Sequence, residues 1–266
     1  MNFNDKVVLI TGGSQGIGET IALAFAARGA TVVVTARTES NVSQVVDRIR
    51  AMGGVSMGVA ADVADADQVE TLFSSVMDRF GRLDVLVNNA AQLLKPCTID
   101  KLSQEDWERV LRVNLTGPFL CSHQAARIMI PRQGGSIINI TSIAAHEPYP
   151  HGGAYSPSKA GLLMLTRQCA VEWGRHHIRV NAVTPGMTVT PMTSNGYADE
   201  KIKRRREQMI PLDRIGLPQD IAPAVAWLAS DEAAYVTGAV IQVDGGFLRN
   251  LHGVMLAQGF QPGATS

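Results

Sequence analysis

The stretch Val7-Val8-Leu9-Ile10-Thr11-Gly12-Gly13-Ser14-Gln15-Gly16-Ile17-Gly18 joins a short apolar run to a glycine-rich turn. The run is typical of a buried strand, and Ile17, Ile21 and Phe25 then follow at helical spacing. Glycines in a strand-to-helix turn let the backbone approach a diphosphate, and the helix N-terminus offers it free N–H groups. The spacing G-x3-G-x-G differs from the common G-x-G-x-x-G. The prediction of a dinucleotide-binding turn therefore depends on its position between the first strand and the first helix.

Six further apolar, β-branched runs follow along the chain, separated by segments with helical periodicity. In one such segment Val69, Leu72, Phe73, Val76 and Phe80 form a single stripe that ends at Gly81. Strands without strict polar alternation are covered on both faces. The pattern predicts an α/β fold of the Rossmann type: one doubly wound, seven-stranded parallel sheet with helices on both faces, in a single domain over residues 1–266. The predicted strands are Val7–Thr11, Thr31–Thr35, Val55–Ala60, Asp84–Val87, Ser136–Thr141, Ile178–Val183 and Val240–Val243.

Composition excludes several classes of protein. The 266 residues carry a formal net charge of zero, which speaks against a nucleic-acid or membrane-surface partner. No apolar stretch approaches the roughly 20 residues that cross a bilayer. Cys97, Cys121 and Cys169 lie far apart and are expected to be free thiols in a reducing compartment, so a soluble, cytoplasmic protein is expected. The six histidines show no metal-binding spacing, and no metal site is predicted.

Several motifs occur in an order that resembles the short-chain dehydrogenase/reductase (SDR) family. They are Thr-Gly-Gly-Ser-Gln-Gly-Ile-Gly at 11–18, Asn88-Asn89-Ala90, Ser142, Tyr155-Ser156-Pro157-Ser158-Lys159 and Pro185-Gly186. The resemblance runs from about Lys6 to Phe247 and implies the same seven-stranded sheet. One departure is Ala91, where the family usually has glycine, which would slightly tighten the sheet edge beside the cofactor.

Tyr155 and Lys159 are candidate catalytic residues because, four apart, they share one face of a helix. Pro157 is tolerated only in the first turn, so the helix must begin close to Tyr155. An ammonium some 4–5 Å away, assisted by the positive charge of an oxidised nicotinamide, would supply roughly the 4 kcal/mol that lowers a phenol pKa by about three units. The resemblance implies that Ser142 orients the substrate oxygen and that Asn114 anchors a water that relays protons. The alternative for Asn114 is a polar side chain bonded to its own backbone.

The residues at the end of the second strand indicate which nicotinamide cofactor binds. The usual acidic position is Ala36, and Arg37 follows it, which suits a 2′-phosphate and favours NADP(H). In the alternative, Arg37 is only solvated, Glu39 reaches the ribose, and NAD(H) binds; Gln15, where NADP-preferring relatives often carry a basic residue, supports that alternative. By resemblance, Asp62 and Val63 flank the adenine, Asn89 and Ala90 the ribose, and Thr188 and Thr190 the nicotinamide. The predicted cofactor contacts are Gly12, Ser14, Gln15, Gly16, Ile17, Gly18, Arg37, Asp62, Val63, Asn89, Ala90, Tyr155, Lys159, Pro185, Gly186, Thr188 and Thr190.

The resemblance implies hydride transfer between NADP(H) and the carbonyl or secondary alcohol of a small organic substrate. Within the family, the alternatives are an NAD-dependent alcohol or diol dehydrogenase and a 3-oxoacyl thioester reductase. A non-catalytic dinucleotide sensor should lack Tyr155 or Lys159, and both are present. A sugar-nucleotide epimerase or dehydratase has a longer chain and different glycine spacing. An acid–base lyase would show no change in nicotinamide absorbance.

Three further segments carry predictions about surfaces. Residues 187–211 correspond to the mobile lid of the family, and their basic run Glu200–Glu207 is either a solvated helix face or a docking surface for an anionic carrier. The helices predicted at Leu115–Ile130 and Ser158–Trp173 are apolar most of the way round, which favours a subunit interface, in a homotetramer or homodimer, over a deep single-chain core. The C-terminal extension 247–266 is expected to pack on a neighbouring subunit.

Overall fold

The sheet has seven parallel strands in the order β3-β2-β1-β4-β5-β6-β7, as the computed structural model of the protein describes for residues 1–250 and Gly253. Each predicted strand is present, with bounds shifted by no more than two residues. The fold class is therefore confirmed. The strands are β1 Val7–Thr11, β2 Thr31–Ala36, β3 Ser56–Ala60, β4 Val85–Asn88, β5 Gly135–Ile140, β6 Ile178–Pro185 and β7 Val240–Val243.

Helices cover both faces of this sheet and bury two separate apolar cores. Alternate strand residues point to opposite faces, so Val8 and Ile10 enter one core while Val7 and Leu9 enter the other. The first core includes residues of α1, α2 and α8, and the second includes residues of α3, α5 and α6. The helices are α1 Gly16–Ala26, α2 Glu39–Ala51, α3 Ala66–Phe80, α4 Gln104–Leu111, α5 Gly117–Met129, α6 Tyr155–Trp173, α7 Glu200–Glu207 and α8 Pro218–Ala229. Within the described part of the chain, none of them is both long enough and apolar enough to cross a membrane.

The strand order creates a crevice between β1 and β4. From β1 the chain moves outward to β2 and β3, then returns to β4 on the other side of β1 and moves outward again to β7. The connections therefore diverge between these two strands, and ligands of open α/β sheets bind outside the carboxyl ends of the strands at such a point. The turn at residues 12–15 and the loop that follows Asn88 lie there.

Helices α5 and α6 leave large apolar side chains uncovered. Phe119 on α5 is 49% exposed, and Met164 and Val171 on α6 are 58% and 82% exposed. A deep single-chain core does not account for these side chains, because the described chain does not cover them. The predicted start of α5 at Leu115 is two residues early, since residues Arg112–Thr116 form a π-helical turn between α4 and α5.

The segment 187–211 contains a short 3₁₀ helix, Ser194–Tyr197, and α7, so its basic run is helical as expected. Another 3₁₀ turn at Phe247–Arg249 follows β7. The apolar residues of the C-terminal extension for which packing on a neighbour was predicted (251, 254–256 and 260) lie outside the described residues.

Candidate active site

The glycine-rich turn places uncapped backbone N–H groups at the crevice. Gln15 is the N-cap of α1, and its side chain makes no capping hydrogen bond, so it leaves the N–H groups of this helix N-terminus available to an anion. Ser14, Gly16 and Ile17 are half-buried and Gln15 is exposed. Gly12 needs its positive φ of 60°, and a Cβ there would lie 2.8 Å from the Cα atom of Ala90. The turn therefore fits a dinucleotide diphosphate.

The loop after β4 holds this turn in place. The side-chain amide of Asn89 donates to the carbonyl oxygens of Thr11 and Gly12, each at 3.0 Å. The Thr11 hydroxyl accepts from the backbone N–H groups of Asn89 and Ala90 at 3.0 and 3.1 Å. Asn89, which the resemblance places beside the ribose, thus fixes the shape of the turn with its side-chain amide. The role of Thr11 was not predicted, although it is the last residue of the strand in the quoted motif.

The predicted adenosine contacts lie at the carboxyl ends of β2 and β3, which are paired with Ala36 opposite Ala60. Arg37 is exposed and, among the described residues, forms no ion pair. The Asp62 carboxylate accepts from the N–H of Ala64 at 3.0 Å, and Val63 is buried against Gly117. Glu39 is also exposed, at the first position of α2.

The segment after β6 reaches across the sheet edge to the glycine turn. A Cβ on Gly16 would lie 3.4 Å from Pro191 and 3.5 Å from Thr190. Thr193, which was not predicted, fixes this segment because its hydroxyl donates to the Thr188 carbonyl at 2.6 Å and pairs with the Thr190 hydroxyl at 3.0 Å. Pro185 ends β6, and a Cβ on Gly186 would lie 2.6 Å from the Cα atom of Asp244. The residues predicted at the nicotinamide end therefore lie beside those predicted at the diphosphate.

Ser142, Tyr155 and Lys159 come together at the carboxyl end of β5. Helix α6 begins at Tyr155, as Pro157 required, so Tyr155 and Lys159 lie in its first turns. The Lys159 ammonium is buried, lies 5.9 Å from the centroid of the Tyr155 ring and donates to the carbonyl oxygen of Ile140 at 2.9 Å. Ser142 follows β5, its hydroxyl accepts from the N–H of Ala144 at 3.1 Å, and it lies close enough to Tyr155 to lower the pKa of the phenol. The arrangement puts a phenol, a hydroxyl and an ammonium around one point.

The pKa values at this site are set mainly by burial. Burial raises the pKa of Tyr155, and the hydrogen bond with Ser142 opposes that rise. Burial lowers the pKa of Lys159 from 10.5 to about 8. The lowering of the Tyr155 pKa by Lys159 and an oxidised nicotinamide stays a prediction; among the protein's own groups, removal of the phenolate from water is the larger influence on that pKa. At neutral pH the phenol holds its proton.

Asn114 connects the loop after β4 to helix α6. It is fully buried in the π-helical turn, where its Oδ1 accepts from the Gln92 N–H at 2.7 Å and its Nδ2 donates to the Gln92 carbonyl at 3.0 Å. Its Nδ2 also donates to the Ser158 hydroxyl at 3.1 Å, and that hydroxyl donates to the Tyr155 carbonyl at 2.6 Å. The alternative in which Asn114 bonds to its own backbone is therefore wrong. Ser158 was not singled out, although it lies inside the quoted Tyr-to-Lys motif.

Comparisons with known proteins agree with this geometry. A family profile described as "Enoyl-(Acyl carrier protein) reductase" matches residues 12–248. The chain is 41% identical over 244 residues to 3beta-hydroxysteroid dehydrogenase 1 of Eggerthella lenta, covering 91% of this chain and 93% of that protein. It is 42% identical over 245 residues to a 3-oxoacyl-[acyl-carrier-protein] reductase of Synechocystis, covering 91% and 97%. The crystal structure of levodione reductase superposes with a TM-score of 0.88 at 34% identity, covering 92% and 98%.

The fold and the site define a nicotinamide-dependent oxidoreductase of the Rossmann type. The chain belongs to the short-chain dehydrogenase/reductase family, as its motifs indicated. It is an NAD(P)-dependent enzyme of that family, which acts on small-molecule substrates.

Proposed function

We propose that the enzyme transfers a hydride between NADP(H) and the carbonyl or secondary alcohol of a small organic substrate, with Tyr155 as the acid and base. The observation that carries this proposal is the meeting of Ser142, Tyr155 and Lys159 at the end of β5, on the same sheet edge as the uncapped glycine turn. The reacting carbon lies between the cofactor and this group of side chains.

The glycine turn at residues 12–18 and Arg37 would hold NADPH, which when bound would supply the hydride for reduction of the carbonyl carbon. Ser142 donates a hydrogen bond to the substrate oxygen and holds it beside Tyr155, and Tyr155 gives its proton to that oxygen as negative charge develops there. Because burial raises the Tyr155 pKa, the phenol is protonated at neutral pH and is ready to act as this acid. Lys159 stabilises the phenolate that remains, and Asn114 holds the chain segments around the proton path.

Replacement of Tyr155 by phenylalanine tests this assignment. Tyr155→Phe keeps the ring and should bind the cofactor as the wild type does, while turnover falls by about 10²- to 10⁴-fold, the usual worth of general acid–base catalysis. Turnover is followed by nicotinamide absorbance and binding by titration calorimetry. Tyr235→Phe, at a fully exposed tyrosine, is the matched control. Substantial activity in Tyr155→Phe would contradict the assignment.

The choice of NADP(H) over NAD(H) rests on Arg37. Its guanidinium is exposed at the end of β2, where the acidic residue that bonds a ribose 2′-hydroxyl is replaced by Ala36, and it is free to bind a 2′-phosphate bidentately. Arg37→Ala should raise the KM for NADP(H) while leaving the KM for NAD(H) unchanged. Glu39→Gln is the control. If the NAD(H) alternative is correct, Glu39→Gln should weaken the binding of NAD(H) and Arg37→Ala should have no effect.

A second candidate function is the reduction of a 3-oxoacyl thioester. It is favoured by the names of two relatives, the 3-oxoacyl-[acyl-carrier-protein] reductases of Synechocystis and Thermotoga maritima, which are 42% and 38% identical to this chain. The relative from Eggerthella lenta, however, is named as a hydroxysteroid dehydrogenase. A screen of β-keto thioesters, ketones, quinones, sugars and steroids with both cofactors separates the candidates by their kcat/KM values.

Three further proposals concern the oligomeric state, the cellular compartment and the lid of the enzyme. The exposed apolar side chains of α5 and α6 support a subunit interface in a homodimer or homotetramer. Three free cysteines support a reducing, cytoplasmic compartment. The position of Thr190 and Pro191 beside Gly16 supports residues 187–211 as a lid over the cofactor. Deletion of residues 251–266 with no change in oligomeric mass would exclude the C-terminal extension from the interface.

A further inference from the structure

The turn that begins at Ser142 is shaped by local hydrogen bonds. Ser142 is the N-cap of a 3₁₀ turn, Ile143–Ala145, which follows β5, and His146 comes directly after this turn. The Ser142 hydroxyl accepts from the Ala144 N–H at 3.1 Å. The His146 N–H donates to the Ile143 carbonyl at 3.0 Å. Such local bonds give the turn its shape, but they do not fix its position on the sheet.

The His146 side chain joins this turn to the neighbouring strand. Its Nε2 atom lies 3.3 Å from the hydroxyl oxygen of Thr184 on β6, and that oxygen lies 2.7 Å from the hydroxyl oxygen of Thr141, which follows β5. Both threonines are buried, whereas His146 is exposed. In the described part of the chain, this is the one hydrogen bond between residues 143–147 and another element of the fold.

The hydrogen bonds between these side chains have a fixed direction. The Thr141 hydroxyl donates to the Val183 carbonyl at 3.0 Å, so it accepts from Thr184. The Thr184 hydroxyl has then used its only proton and accepts at its other contact, which requires an N–H at Nε2 of His146. The neutral Nε2–H tautomer and the imidazolium both provide this donor, so the link does not depend on the charge of His146.

These side chains lie beside the catalytic residues. Thr141 stands between Ser142 and Ile140, whose carbonyl oxygen accepts from the Lys159 ammonium at 2.9 Å. Thr184 lies on β6, one residue before the Pro-Gly pair predicted to contact the cofactor. A displacement of the turn would therefore move the serine hydroxyl relative to both the ammonium and the cofactor.

We propose that His146 is a positioning residue for the reaction: by donating to Thr184, it holds the turn that begins at Ser142 so that the serine hydroxyl meets the substrate oxygen. This inference rests on the proposed function, in which Ser142 holds that oxygen beside Tyr155. His146 acts only through the turn. Because a misplacement of about 1 Å in a reacting group can cost about 10²-fold in rate, loss of this bond should be measurable in kcat.

His146→Leu removes the donor at an exposed position, where the fold should accept it. For the carbonyl compound that the wild type reduces best, kcat and kcat/KM should both fall by about 10- to 100-fold with KM unchanged, because the alignment matters in the transition state. The Kd of NADPH, measured by titration calorimetry, should stay the same. His146→Gln keeps an N–H donor and should recover most of the loss. Glu147→Leu, at the next residue, which is also exposed, is the control and should behave as the wild type.

Thr184→Val tests whether the effect passes through this bond, because it removes the acceptor hydroxyl with little change in shape. The double variant His146→Leu/Thr184→Val should be no slower than Thr184→Val alone, since the two partners of one bond are not additive. Losses that multiply in the double variant, an equal loss in Glu147→Leu, or no recovery in His146→Gln would overturn the inference. Wild-type kcat in His146→Leu refutes the inference alone, whereas a wild type that turns over no carbonyl compound or alcohol with either cofactor refutes the proposed function.

Discussion

The buried ammonium of Lys159 leads to a stability prediction whose size follows from its surroundings. The side chain is 2% exposed, and the one hydrogen bond described for its ammonium is with the Ile140 carbonyl. Burial without an acidic partner lowers the pKa from 10.5 to about 8. This fall corresponds to about 3 kcal/mol at 1.36 kcal/mol for each pKa unit, and it is the free energy by which charged Lys159 opposes folding at neutral pH.

The sign of the pH dependence follows from proton linkage. Between pH 8 and pH 10.5 the unfolded chain holds the Lys159 proton and the folded protein has released it, so the stability of the wild type rises with pH across this range. Lys159→Met never holds that proton. From pH 7 to pH 9.5 the wild type should therefore gain about 2 kcal/mol of unfolding free energy relative to Lys159→Met.

Urea unfolding of both proteins at pH 7.0 and 9.5, without added nucleotide, measures this difference. Lys201→Met removes the same charge from an exposed position, and its stability should keep a constant offset from the wild type at both pH values. Comparison with Lys159→Met cancels the other groups that titrate in this range. The reasoning would be refuted if the difference in unfolding free energy between wild type and Lys159→Met were the same at both pH values. That result would mean that burial does not change the affinity of Lys159 for its proton.

Two further predictions concern the cofactor turn and the interface. Gly18→Ala should abolish nucleotide binding in calorimetric titration, because its Cβ would lie 2.3 Å from the Gly12 carbonyl oxygen and 2.4 Å from Nδ2 of Asn89; Gly134→Ala, with no atom within 4 Å, should bind normally. Normal binding by Gly18→Ala would mean that the turn is not the nucleotide site. Met164→Asp combined with Val171→Asp should lower the oligomeric mass measured by light scattering, because a buried interface does not accept unpaired carboxylates. An unchanged mass would place the interface elsewhere.

The features that could be predicted from the sequence are those set by neighbours along the chain. Burial on both faces makes an inner strand such as β2 a continuous apolar run, so Val32, Val33 and Val34 identify it without any knowledge of the partner strands. The start of α6 follows from Pro157 alone, since its ring is accepted only in a first helical turn. The common face of Tyr155 and Lys159 follows from their spacing. These features could be predicted without knowledge of any contact between residues far apart in the sequence.

The features that could not be predicted depend on residues far apart in the sequence. Asn114 bonds to Gln92 and Ser158, which are 22 and 44 residues away, and no local pattern specifies either partner. The rise that burial causes in the Tyr155 pKa could not be predicted for the same reason. Spacing gives the distance to an ammonium, but the loss of water around the phenol depends on loops that only the folded chain brings together.

The position of Lys159 explains why the site tolerates a destabilising group. Its bond to the Ile140 carbonyl fixes the ammonium at the end of β5, two residues before Ser142, and thereby ties α6 to the strand that precedes the serine. An exposed lysine would be less costly to the fold, but its charge would be screened by water and would act weakly on a phenolate. The burial that destabilises the folded protein is therefore the condition under which one ammonium can stabilise the deprotonated Tyr155. It follows that Lys159→Met should be more stable than the wild type at neutral pH and should have lost its activity.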